Sequence, residues 1–366
     1  MKKVAVMTLP LFNGRQYNYG GVLQNYALVF ALNKYGYDSI AIHADAKSFL
    51  GYIGNYLYRN TRLNFFMWQD SIPAVNLVKR NKIIRDQHFE LFINDNIRHI
   101  DKPYYNYTKF SQTISDSYDY FVVGSDQVWS PLAVKGKDRG RYFLSFCDSK
   151  KRISYAASLA CDIIPKEFLD IYKNNLKQFK ALSVREKKGQ ELLHRIDIEA
   201  DVNIDPVFLL NKKEWSELTS KYSVCVDHKY VLLYFLGGIN ESILNSLPDD
   251  LLIIDVMDKT SPYYSCGPGE FLWLIQNAEM VLTDSFHAVS FSIIFNTPFY
   301  VCKRNQKGMD HMWSRIDDLL TLFEMNDRAL IKDYDMLNNN INFSLVDKKI
   351  EIEQQKTIRY FSESLK

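Results

Sequence analysis

Four blocks of this chain bring polar groups to the ends of apolar runs, where chemistry is usually done. In N-Y-G-G-V-L-Q-N-Y-A-L, residues 18–28, Gly20 and Gly21 stand between a strand-like run and a helix-like run. Glycines there let backbone N–H groups come close to a ligand, and a helix N-terminus favours an anion or a polar sugar. Asn18 and Gln24 flank them as hydrogen-bonding groups, although a plain tight turn needs the same glycines. In V-V-G-S-D-Q-V-W, residues 122–129, Ser125 and Asp126 are placed either to hold a substrate hydroxyl or to cap the following segment. In S-V-R-E, residues 183–186, Arg185 directly follows a short apolar run. Its planar fork suits a carboxylate or phosphate, and it equally suits an ion pair with Glu186 or Asp205. In T-D-S-F-H-A, residues 283–288, Asp284 and Ser285 can cap a helix, while His287 can move a proton or bind a ligand.

The elements that must position these groups follow from apolar patterning. Short buried-strand runs are expected at Val4–Thr8, Ser39–Ile42, Tyr118–Val123, Ile153–Ala157 and Ala181–Val184 in the first half. In the second half they are expected at Tyr230–Phe235, Leu251–Val256, Met280–Thr283 and Phe299–Cys302. Helical spacing of apolar residues fills the gaps, as in Val22, Leu23, Tyr26, Ala27 and Phe30. Strands alternating with helices in both halves predict an α/β chain with two Rossmann-like, doubly wound parallel sheets. Every block above then sits beyond the carboxyl end of a strand, where such sheets bind ligands. The first lobe is expected over 1–210, with a helical insertion at about 49–92. The charged stretch 211–228 reads as the boundary, the second lobe covers 229–345, and a charged helix over 346–366 is expected to cross back to the first lobe.

Composition excludes other classes. The chain has 366 residues, 47% apolar and 24% charged, with a net charge of +2. That is enough apolar mass for two cores and no basic excess of the kind nucleic-acid binders show. The five cysteines form no CxxC pair, so neither a zinc site nor a redox motif is expected. There is no GxGxxG, H-E-x-x-H or phosphate-loop pattern, and no resident cofactor or metal is expected. The opening M-K-K-V-A-V-M-T-L-P breaks at Pro10, which reads as a first strand rather than a signal peptide. No 18-residue apolar stretch is present, so a cytoplasmic chain without membrane spans is expected.

Together the blocks NYGGVLQNYAL, FVVGSDQVW, ISYAASL, LSVREKKG, DPVFLL and AEMVLTDSFHAVSFSIIFNTPF resemble, in this order, the polysaccharide pyruvyl transferase family. The resemblance runs over roughly 4–325. It implies a GT-B-like fold, two Rossmann-like lobes facing a cleft, and transfer of a pyruvyl group from phosphoenolpyruvate to a sugar, often as a cyclic ketal. The family's donor arginine corresponds to Arg185. Of its R-x-H pair, His287 matches, while Ser285 stands where the arginine would be. Lys303, Arg304 and Arg315 are the candidates to supply the missing cation. The resemblance therefore makes Arg185 and His287 the candidate catalytic residues, and Asn18, Gly20, Gly21, Gln24, Ser125, Asp126, Asp284 and Ser285 the candidate substrate-binding set. The implied partners are phosphoenolpyruvate and a saccharide acceptor, free or lipid-linked, in building a cell-surface polysaccharide such as a capsule or exopolysaccharide. Two alternatives stand beside it: a glycosyltransferase using a nucleotide-sugar, and a non-catalytic sugar-binding protein.

One further segment has two readings. Residues 49–85 hold Phe49, Tyr52, Tyr56, Tyr58, Phe65, Phe66 and Trp68, then Lys79, Arg80, Lys82 and Arg85. Aromatic and basic groups together suit the surface of an anionic bilayer, which would make the protein peripheral at the inner membrane face. The other reading is an ordinary helical insertion with aromatics inside and cations in water.

Overall fold

The computed structural model describes residues 1–9, 11, 17–42, 75–100, 114–135, 139–239, 243–244, 247, 251–303, 310–329 and 341–366. The aromatic run at 49–68, Arg304 and the early part of the expected insertion lie outside these residues. The chain divides into two compact units. Unit 1 is Met1–Arg80, Ile93–Pro206 and Thr357–Lys366; unit 2 is Asn81–Phe92 and Val207–Lys356.

Unit 1 is built on a four-stranded parallel sheet of order β2-β1-β3-β4. Its strands are β1 (Lys3–Met7), β2 (Asp38–Ala41), β3 (Tyr120–Gly124) and β4 (Arg152–Tyr155). Val4 pairs with Ser39 on one side and Tyr120 on the other, and Val122 pairs with Ile153. Two short parallel strands, β5 (Ser183–Val184) and β6 (Asp201–Val202), continue beyond β4 through bridges Ile153–Ala181 and Ala157–Val184. Val4, Ala5, Val6, Phe121, Val122 and Val123 are fully buried. Such near-continuous apolar strands are what a parallel sheet covered on both faces requires. Helix α1 (Tyr19–Lys34) is apolar nearly all round and correspondingly buried on nearly every side.

Unit 2 repeats the plan. Its sheet has the order β10-β9-β7-β8, with β7 (Tyr230–Tyr234), β8 (Leu252–Asp255), β9 (Met280–Thr283) and β10 (Phe299–Val301) all parallel. The two Rossmann-like lobes expected from the sequence are thus present, each with its own core.

The division of the chain differs from the sequence reading in two places. Helix α2 (Val75–Asn96) was expected wholly within the first lobe, yet Asn81–Phe92 belongs to unit 2. The cause is packing. A Cβ on Gly267 would lie 2.7 Å from His88 Cβ, so only glycine lets the helix approach so closely. Asn81 Nδ2 donates to the carbonyls of Lys259 and Ser261 at 3.0 and 3.1 Å. Second, the expected boundary at 211–228 contains a helix of unit 2, which begins at Val207. Of the described helices, α3 (Leu169–Leu176) and α4 (Lys187–His194) precede this one, which is α5 (Lys212–Thr219). It opens with a capping box in which Asn211 and Glu214 each accept from the other's N–H at 2.9 Å. Its Trp215 ring meets Phe291 at 4.9 Å, and its indole N–H donates to Val207 O. The charges mark only its solvent side. The closing helix is shared between the two units. After α6 (Pro268–Asn277), α7 (Phe286–Phe295) and α8 (Asp310–Phe323), α9 runs over Val346–Ser364, and its last turns from Thr357 belong to unit 1. There Phe361 stacks on Tyr155 at 4.9 Å, and Tyr360 donates to Ser154 O at 2.6 Å.

The basic stretch of α2 divides as well. Lys79 and Arg80 are exposed, and Lys82 pairs with Asp86 at 2.8 Å. Arg85 is only 7% exposed. It donates to Tyr264 O at 2.8 Å and lies over the Phe89 and Tyr264 rings. Its charge is therefore not offered to a bilayer, which corrects that part of the membrane reading. Among the described residues, no helix is long and apolar enough to cross a membrane.

Candidate functional site

Each sheet has a topological switch point, where successive connections leave in opposite directions and open a crevice at the carboxyl ends. In unit 1 it falls between β1 and β3, in unit 2 between β7 and β9. Three of the four blocks singled out by sequence lie at these points. The fourth, S-V-R-E, reaches one through its side chain.

In unit 1, β1 passes into α1 through Thr8 and the Asn18 cap, whose Oδ1 accepts from Gly21 N at 3.3 Å. Gln24 and Asn25, in the first turns, are 0% and 1% exposed. From the other side, β3 delivers Ser125 and Asp126. Asp126 holds a left-handed backbone (φ 71), a strained choice for a non-glycine residue that is typical of functional turns. Its carbonyl accepts from Val128 and Ser158 N–H, and its Oδ1 accepts from Gln127 N at 2.9 Å. Its Oδ2 faces α1, 3.6 Å from where a Gly21 Cβ would stand.

Beneath this corner lies Arg185. Its side chain is 3% exposed and that of Asp205 is 0% exposed. Arg185 Nη1 donates to Asp205 Oδ2 at 2.7 Å and to Ser125 Oγ at 3.3 Å, while Ser125 Oγ donates to Asp205 Oδ2 at 2.8 Å. Glu186 Oε2 is 3.7 Å from Arg185 Nε, and Glu186 Oε1 accepts from Ser158 Oγ and Leu159 N. Burial opposes the Arg185 charge, but Asp205, Glu186 and Asp126 hold its guanidinium above the usual arginine range. Of the two sequence readings of Arg185, the structure realises the ion pair, and with both carboxylates. The cluster ties the ends of β3, β4 and β5 together and so fixes where Ser125 and Asp126 point.

In unit 2, β7 ends in Phe235-Leu236-Gly237-Gly238, and Gly238 adopts φ 81. The Asp284 carboxylate, arriving from β9, accepts from Leu236 N at 2.7 Å and Gly237 N at 2.8 Å. Asp284 therefore closes the glycine turn; it does not cap α7. Ser285 occupies the N-cap position of α7, and its side chain makes no capping bond. Its N–H donates to Thr283 Oγ1 at 3.0 Å. His287 stands in the first turn of this apolar helix, edge-on to Phe286. Arg315, a candidate to replace the absent cation, is buried on α8, and Lys303 is exposed.

Sequence reasoning missed Asn25 and Ser158; Glu186 and Asp205 it named only as alternative ion-pair partners of Arg185, whereas both hold it. Among the described residues, no group of His, Cys, Asp and Glu could hold a metal ion. A cavity of about 510 Å³ opens at the other side of unit 1, lined by Lys180, Gln190, Glu199, Asp201, Tyr360 and Glu363 among others. It lies before the amino ends of β5 and β6 and contains none of the candidate residues.

The family model for polysaccharide pyruvyl transferase matches residues 18–306, spanning all four blocks. The chain belongs to the polysaccharide pyruvyl transferase family. A comparison with curated proteins finds no significant match. Among solved structures, the family member is similar to a UDP-GlcNAc 2-epimerase from Methanocaldococcus jannaschii in complex with UDP-GlcNAc and UDP (14% identity, 99% of this chain and 100% of that chain, TM-score 0.47). It is also similar to the Neisseria meningitidis UDP-GlcNAc 2-epimerase bound to UDP-GlcNAc (11%, 97% and 100%, 0.44) and to Acinetobacter baumannii MurG (10%, 99% and 100%, 0.42).

Proposed function

We propose that the protein transfers a pyruvyl group from phosphoenolpyruvate to a sugar of a cell-surface polysaccharide or of its lipid-linked precursor, closing a ketal. The observation that carries this reading is the family match across both units, with His287 at the start of α7, on the switch point of unit 2. Phosphoenolpyruvate brings a phosphate and a carboxylate. The first turn of α7, left uncapped by the Ser285 side chain, offers N–H groups and the positive end of a helix to such a ligand.

In the reaction, the methylene carbon of the donor takes a proton and becomes the ketal methyl group. One sugar hydroxyl adds to the neighbouring carbon. A second hydroxyl of the same sugar displaces inorganic phosphate from that carbon and closes the ring. His287 is the group we assign to proton transfer. Arg185 acts through Asp205 and Ser125, as a positioning residue for Asp126. Unit 2 serves the donor and unit 1 the acceptor.

The glycosyltransferase alternative is disfavoured by Asp284. A nucleotide diphosphate would normally use the amides of the glycine turn after the first strand. Here those of Leu236 and Gly237 already hold a carboxylate. The test is phosphate release from phosphoenolpyruvate, with and without saccharides, beside UDP release from UDP-sugars. Saccharide-dependent phosphate release supports pyruvyl transfer; UDP release without phosphate release rejects it.

A further inference from the structure

The buried amides at the start of α1 have a hydrogen-bond inventory that does not close. Gln24 Nε2 donates to Gly21 O at 2.9 Å. Asn25 Nδ2 donates to Thr8 Oγ1 at 3.0 Å, and Thr8 Oγ1 donates in turn to Leu9 O. These bonds fix the orientation of both amides. Flipping Gln24 would set oxygen against oxygen. Flipping Asn25 would require a proton that the Thr8 hydroxyl has given to Leu9. The atoms left over are therefore oxygens: Gln24 Oε1 and Asn25 Oδ1 have no hydrogen-bond partner. Burying an acceptor without a partner costs about 1–3 kcal/mol, and native proteins rarely leave two side by side in sequence.

Both oxygens belong to the β1–α1 corner, since one amide is tied to Gly21 and the other to Thr8. The same corner holds the Asp126 carboxylate against Gly21. All three features ask for a hydrogen-bond donor. They are the wrong sign for a phosphate or a carboxylate, despite the helix N-terminus beside them, and the nearby cation Arg185 is engaged by Asp205.

We propose that the β1–α1 corner of unit 1 is a hydroxyl-reading subsite for a neutral saccharide, in which Gln24 Oε1 and Asn25 Oδ1 accept from sugar hydroxyl or acetamido N–H groups and Asp126 accepts from a neighbouring hydroxyl. The anionic donor is excluded from it. This rests on the reading that the acceptor is a saccharide, and it adds Asn25 and the sign of the site. Both oxygens are closed to a water-sized group in this structure, so a sugar hydroxyl reaches them only when the corner opens locally, and the subsite reads the position of hydroxyls on the ring.

Saturation-transfer NMR on the full chain tests this, with methyl glycosides of glucose, galactose, mannose and N-acetylglucosamine at millimolar concentration, and phosphoenolpyruvate titrated separately. The wild type binds at least one glycoside, and Gln24→Met weakens that binding about tenfold. Phosphoenolpyruvate affinity stays unchanged. The melting temperature of Gln24→Met stays near that of the wild type, because the lost bond to Gly21 is offset by removal of an unsatisfied oxygen. Absence of glycoside binding to the wild type overturns the proposal. So does a Gln24→Met protein that melts lower while its glycoside affinity is intact, which would make the amide a structural, water-bridged group. Loss of phosphoenolpyruvate binding in Gln24→Met would place the donor here and also overturn it. Phosphate release from phosphoenolpyruvate reads the pyruvyl-transfer assignment independently: it can fail while Gln24-dependent sugar binding stands, and the reverse.

Discussion

Arg185 shows how one residue type supports two roles that only geometry separates. Its guanidinium is buried between Asp205 and Glu186, and removing one member of a buried pair leaves an uncompensated charge. Arg185→Ala is expected to lose about 3–5 kcal/mol of stability, measured by urea unfolding. The double variant Arg185→Met with Asp205→Leu recovers part of that, since Glu186 is still left buried without its cation. If the double variant is stable and turns over normally, the positioning role is also wrong. His287 behaves differently. His287→Ala is expected to lower kcat about 100-fold or more while KM for phosphoenolpyruvate moves far less, as loss of a proton-transfer group does. The thiols give a check on burial. Burial pushes Cys147 and Cys161 up to about 11 and Cys266 and Cys302 up to about 12. The exposed Cys225 should therefore react first with a thiol reagent at mildly alkaline pH; mass mapping that finds Cys302 labelled first would contradict the packing of unit 2.

At the scale of elements, Gly124 controls the fit of β3 to α1. A Cβ there would lie 2.5 Å from Leu28 Cδ2 and 3.3 Å from Thr8 Cγ2. Gly124→Ala, which would otherwise stiffen the unfolded chain and help, is expected to cost about 1–3 kcal/mol through overpacking, seen as a lower urea midpoint. Elements like β3 were legible in the sequence because a parallel strand buried on both faces is written as an apolar run. Met280–Thr283 could be read to the residue, and Tyr120–Gly124 to within two residues of the expected Tyr118–Val123. Their sequels, Ser125-Asp126 and Asp284-Ser285-His287, were legible as site candidates because a strand's carboxyl end is where such sheets work. What each side chain does there was not legible. Asp284 was read as a helix cap or a substrate-binding group, whereas its carboxylate closes the Gly237 turn. Arg85 was read as a surface cation, but it is buried under Tyr264. Both depend on partners more than 40 residues away in sequence, at Leu236 and Tyr264 respectively, which no local pattern encodes.

At the scale of the molecule, two α/β units of the same plan carry different chemistry at their switch points. Unit 1 presents acceptor oxygens and a carboxylate; unit 2 presents an uncapped helix start and a histidine. That contrast matches a neutral polyhydroxylated acceptor and an anionic donor. The membrane contact considered for residues 49–85 is narrowed by the burial of Arg85. If it operates, sedimentation with anionic vesicles falls for Lys79→Gln with Arg80→Gln, while Arg85→Gln lowers stability instead. Vesicle binding that depends on Arg85 and ignores the other two would contradict the packing of α2. The central claim is pyruvyl transfer, and product analysis addresses it most directly. The chain is incubated with isotopically labelled phosphoenolpyruvate and a panel of saccharides, and the label is followed by NMR. Labelled ketal carbon and methyl signals are expected on a saccharide, with stoichiometric phosphate, and about a hundredfold less of either in the same time from His287→Ala. Label that stays in phosphoenolpyruvate while the same protein consumes a UDP-sugar would contradict the claim.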